Sequence, residues 1–156
     1  MLVQEYTMLI DRGFEAPDPI LDQYEEEEFT SFELEDEDAN THSYSLPIQR
    51  FIDAYLGDVV NRLEAHKETG ILNEARTAQV DEIIAAAQEI KITQTQQTKQ
   101  QVVKALSRFW AKARKAGLDI FTEVRKEAFK EGVKYFTKKL LEDPESVMNT
   151  IRGLLG

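Results

Sequence analysis

Residues 98–141 read TKQQVVKALSRFWAKARKAGLDIFTEVRKEAFKEGVKYFTKKLL, and this stretch decides the fold class. Its apolar residues fall at Val102, Leu106, Phe109/Trp110, Ala113, Ala116, Ile120/Phe121, Val124, Ala128, Val133, Phe136 and Leu140. The steps are nearly all three or four, the spacing of one face of an α-helix. The stretch holds the only Trp and four of the eight Phe residues. It also carries twelve Lys/Arg against four Asp/Glu, a net of +8 in a chain whose total is −10. Glu123, Glu127 and Glu131 interleave with Lys126, Lys130 and Lys134 at helix-neighbour spacing, the pattern of a solvated helix face.

Gly117 is the candidate break in this stretch. Basic residues precede it, as a closing helical turn favours, and Asp119 behind it could cap a new helix. Against a break, the apolar phase runs past Gly117 unchanged, and one interior glycine costs a helix only about 1 kcal/mol. Small residues at Ala113, Gly117, Ala128 and Gly132 point to close approach between helices.

Working outward, Ser45 and Pro47 start a helix whose face is Ile48, Phe51/Ile52, Tyr55/Leu56, Val59 and Leu63. Asn73 caps a second, with Val80, Ile83/Ile84, Ala87 and Ile90 as its stripe. Residues 93–101 have no apolar member and read as a linker, or as a polar lead-in to the next helix capped by Thr93 or Thr95. Asp143 and Pro144 end the long stretch and begin a last short helix. The expected fold is mostly α: a bundle of four to five helices, about 46–68, 74–91, 98–116, 118–141 and 144–154. It follows an acidic, largely irregular arm, so the expected units are an arm over 1–45 and a bundle domain over 46–156.

The arm has fourteen Asp/Glu and one Lys/Arg. Pro17 and Pro19 oppose helix there, and the like charges of residues 25–28 and 35–38 repel one another. Yet Tyr24, Phe29, Phe32 and Leu34 are threaded through the acids, more large apolar groups than a solvating tail carries. The mixture reads as a segment that docks on a basic, apolar surface. The residues expected to meet are Tyr24, Glu25, Glu26, Glu27, Glu28, Phe29 and Phe32 on the arm, and Lys104, Arg108, Trp110, Lys112, Arg114 and Lys115 on the basic helix.

Motifs of chemistry are missing or incomplete. With no Cys there is no disulfide, thiolate ligand or cysteine nucleophile. Asp36, Asp38, Asn40 and His42 alternate like the start of a calcium loop, but Thr41 and Pro47 stand where that loop needs Gly and a bidentate Glu. His42 and His66 lack companions at zinc-ligand spacing. There is no Gly-rich phosphate loop and no nucleophile elbow. The expectation is therefore no catalytic site, no cofactor, no metal and no small-molecule substrate.

No apolar run reaches the length of a membrane span and no signal peptide is evident, so a cytoplasmic protein is expected. The −10 total disfavours nucleic acid unless the arm moves away, and the interleaved glutamates disfavour a membrane surface. A protein partner or self-association is favoured. The leading expectation is a non-catalytic interaction or regulatory protein whose acidic arm docks on the basic helical surface, in cis or across subunits. Two alternatives stand beside it: an acidic mimic of nucleic acid that inhibits a basic partner, and a structural subunit of a larger assembly.

Overall fold

A computed structural model of the chain describes residues 17–70, 72–142, 145 and 149. The elements are α1 (Pro19–Phe32), α2 (Leu46–Glu68), α3 (Glu74–Thr93) with a 3-10 turn (Gln94–Gln96), α4 (Lys99–Ala116), α5 (Leu118–Val124) and α6 (Lys126–Glu142). There is no strand among the described residues. This is the mostly α bundle that the periodicity predicts. The expected helix over 144–154 lies outside the described residues apart from Glu145 and Asn149, both helical, and so does the arm before residue 17.

The clearest departure from expectation is α1. Residues 19–32 were expected to be irregular, and they form a fourteen-residue helix. Pro19 does not oppose it, because Pro19 occupies the first turn, where its missing N–H is no loss and its fixed φ suits the helix. Asp18 caps that turn by accepting a hydrogen bond from Leu21 N at 3.1 Å. The repulsion among the glutamates is offset by cations from other helices. Glu33, left-handed at φ 58°, ends the helix.

α4 is the central element. Thr98 and Gln101 form a reciprocal capping box at its start. Val102, Val103, Leu106, Phe109, Trp110, Ala113 and Ala116 are buried along it. It packs against α1 and α3, while α2 packs against α3, α5 and α6. Phe32 and Tyr44 from the arm share one core with residues of α2 to α6. The polar 93–101 segment is a capped corner: Gln94 is buried and donates from Nε2 to Gln49 O at 2.8 Å.

Gly117 does break the helix, at φ 132°, ψ 164°. The Arg76 guanidinium sits there, donating to the Ala116 carbonyl that closes α4 and to Asp119. A Cβ on Gly117 would lie 2.9 Å from that guanidinium, and the backbone is strained for any other residue. A second break, at Arg125 (φ 53°), was not expected. It slips the apolar phase by one residue. Ala128, read as part of the stripe, is exposed, and Phe129 is fully buried in its place. Of the small residues, Ala113 is buried in the core, whereas Gly132 is a true close approach: a Cβ there would run into the Phe51 ring of α2.

Candidate functional site

α1 lies antiparallel on α4, because residues later in α1 meet residues earlier in α4. Asp18 takes a hydrogen bond from Lys115. Arg108 Nη1 reaches Asp22 at 3.1 Å and Glu25 at 3.3 Å. Arg114 stacks its guanidinium 4.0 Å from the Tyr24 ring centroid and pairs with Glu27 at 2.7 Å. Lys104 Nζ stands 6.0 Å from the Phe29 ring. The ladder continues past α1: Asp36 and Asp38 both accept from Lys99 Nζ at 2.9 Å, so the calcium-like alternation holds an ammonium. Lys99 N and Gln100 N donate to the carbonyls of His42 and Ala39 at 2.9 and 2.8 Å, pinning that loop to the start of α4.

Two anchors lie beneath the ladder. The first is apolar: Phe32 stacks on Trp110 with ring centroids 6.0 Å apart at 23°, and Leu21 is buried at the other end of α1. The second is ionic. Glu28 is paired with Lys126, the first residue of α6, with side chains only 6% and 8% exposed. Lys126 Nζ also donates to Ser31 Oγ at 2.7 Å and lies 5.6 Å from the Trp110 ring centroid. Arg114 approaches the other Glu28 oxygen at 3.6 Å, and Lys130 Nζ donates to Ser31 O at 2.7 Å.

These contacts differ in weight. An exposed ion pair is worth about 0–1 kcal/mol, whereas burying a Leu or Phe side chain is worth about 1.5–3 kcal/mol. The anchors therefore hold α1 down, and the exposed pairs set its register.

Trp110 joins arm and bundle. Its Nε1 donates to Tyr55 Oη at 3.1 Å. Tyr55 donates in turn to the Val124 carbonyl, freed by the break at Arg125. Burial pushes the Tyr55 phenol well above its ordinary pKa, so it remains a donor. The Phe129 ring packs on Trp110, Tyr55 and Phe51 at 5.6, 4.7 and 5.8 Å.

Of the residues expected to meet, Tyr24, Glu25, Glu27, Glu28, Phe29 and Phe32 face Lys104, Arg108, Trp110, Arg114 or Lys126 across this interface. Lys115 joins through Asp18. Glu26 is exposed. Lys112 pairs with Glu82 of α3 at 3.6 Å. The sequence reading missed Asp18, Leu21, Asp22, Ser31, Lys99, Lys126 and Lys130. A signal for part of this was available: Leu21, Glu25, Glu28 and Phe32 recur at steps of four, three and four, a helix face masked by its acidic composition.

The electrostatics predict an acid transition. The hydrogen bond from Lys115 holds Asp18 below its ordinary pKa of 3.8, that from Lys99 does the same for Asp38, and that from Arg76 for Asp119. A carboxyl whose folded pKa is lowered stabilises the fold above its ordinary value and loses that contribution as the pH falls through the folded value. The stabilisation these three pairs supply is thus expected to fade as the pH falls below 3.8. Circular dichroism and Trp110 fluorescence from pH 7 to 2 would follow it; a transition near the ordinary histidine pKa of about 6.5 would contradict this account.

Comparison with known protein families, curated proteins and solved structures finds no match to this chain. No described helix is long and apolar enough to cross a membrane.

Proposed function

We propose that this is a non-catalytic interaction protein in which α1 is a cis-acting cover on the basic, aromatic face of α4, competing there with an acidic segment of a partner protein. The observation that carries this reading is the antiparallel ladder itself. Tyr24, Glu25, Glu27 and Phe29 present to α4 the acidic and aromatic side chains that a docking peptide would present. Much of the ladder is solvent-exposed and each of its exposed pairs is individually weak, so an acidic segment can compete for these cations. The acidic-mimic reading needs free arm carboxylates and has less support, since those of Asp18, Asp22, Glu25, Glu27 and Glu28 are engaged by the chain's own cations.

Deleting the arm would strip Phe32 and Tyr44 from the core, so charge reversal is the better test. The triple variant Asp22→Lys, Glu25→Lys, Glu27→Lys should bind a synthetic acidic peptide copying residues 17–33 at least roughly tenfold more tightly than the unmodified chain, with the gain falling in high salt. A control of equal net charge, Glu26→Lys, Glu35→Lys, Glu37→Lys, alters exposed acids off the ladder and should show no gain. Equal behaviour of the two triples would defeat the proposal. Gain for heparin, DNA or anionic vesicles without gain for the peptide would redirect it to a polyanion.

A further inference from the structure

Beyond the end of α1, the chain forms an open cleft of about 390 Å³ against α6. Its apolar surface comes from Phe32, Leu34, Tyr44 and Val133. That volume lies within the range of small-molecule sites, about 300–1,000 Å³. Two features give the cleft chemical character. Lys134 and Lys138 line the α6 side one helical turn apart, both exposed and with no ion-pair partner among the described residues. Across from them Asp36 is tied to Lys99, while Glu33 and Glu35 flank the half-buried Leu34 as exposed residues at the rim. The charge is therefore segregated: among the described residues Glu33 and Glu35 are unpaired on the arm side, and the unsatisfied charge on the α6 side is positive. The second feature is Tyr44, 7% exposed, whose hydroxyl has no hydrogen-bond partner among the described residues. Burial, then the nearby Asp36 charge, raises its pKa, so the hydroxyl stays a neutral donor. Buried polar groups are ordinarily paired.

We propose that this cleft binds a small amphipathic carboxylate, with its apolar body on Phe32, Leu34 and Val133 and its head between Lys134 and Lys138. An apolar wall with a few polar groups at one edge is the usual build of such a site, and two lysines one turn apart suit one carboxylate. Phe32 and Leu34 belong to the arm and Val133 to α6, so a bound molecule would bridge them and stabilise the docked arm.

The test is a titration of the full chain with decanoate below its micellar concentration, followed by backbone amide NMR shifts. Decyltrimethylammonium serves as the matched cation. Decanoate should give saturable shifts confined to residues around Leu34, Tyr44, Val133 and Thr137, and the cation should give none. Lys134→Glu with Lys138→Glu, both at exposed positions, should weaken decanoate roughly tenfold or more. Thr137→Trp places a large ring at the cleft edge from an exposed position and should abolish binding. Absence of saturable shifts, equal response to the cation, shifts spread over the whole bundle, persistence in Thr137→Trp, or a response only to anionic vesicles would each overturn the proposal.

Discussion

Replacing Glu28 by alanine is expected to destabilise the fold by about 3–5 kcal/mol, the cost of leaving one charge of a buried pair without its partner. The orphan would be Lys126, 8% exposed at the start of α6, left with Ser31 Oγ and the Trp110 face. Lys126→Ala should cost less, because Glu28 keeps Arg114 at 3.6 Å. The informative variant is the double, Glu28→Met with Lys126→Met. It removes both charges while filling similar volume, and should lie close to the unmodified stability or above it. Urea unfolding read by circular dichroism gives all of these, and a double-mutant cycle gives the coupling. Additive costs, or a Glu28→Ala loss under about 1 kcal/mol, would mean that the pair does not anchor α1.

Trp110→Ala should cost a similar amount, about 3–5 kcal/mol, by another mechanism. Trp110 is 0% exposed and fills the space between α1, α2 and α6. Truncation would leave a cavity under Phe32, remove the ring beside Lys126 and take from Tyr55 the N–H that it accepts. Trp110→Phe retains a ring for Phe32 and Phe129 but not the donor, and should cost about 1–3 kcal/mol. The two losses should differ in their effect on the arm. Protease cleavage around residues 33–35, between α1 and the pinned loop, should accelerate in Trp110→Ala and change little in Trp110→Phe. A Trp110→Ala chain within about 1 kcal/mol of the original would show that the core can close over the gap.

Much of this architecture was legible in residue spacing. Ile48, Ile52, Leu56, Val59 and Leu63 fix α2 because one helix face must be apolar where it meets the core, and they are buried. Asn73 fixes the start of α3 because its side chain satisfies a backbone N–H group that the helix cannot, whereas α4 is capped by Thr98 and not by the expected Thr93 or Thr95. The contacts of the arm could be named by charge and aromatic content, since Tyr24, Glu27 and Phe29 have few other places in this chain to find complementary groups.

Other features depend on groups far apart in sequence. A run of glutamates looks self-repelling until Arg108, Arg114 and Lys126 are set beside it, so the state of α1 was decided by residues more than eighty positions away. The turn at Arg125 has no local signature; Tyr55 takes the carbonyl of Val124 there, and Lys126 is drawn to Glu28. The phase slip that buries Phe129 in place of Ala128 follows from that turn. Local propensity and periodicity thus determined that α2, α3 and α4 are helices and which face of each is apolar, because those depend on neighbours within a turn or two. Only the tertiary structure decided where the long basic stretch breaks and what its charge is paired with, because both depend on which distant groups share a low-dielectric interior.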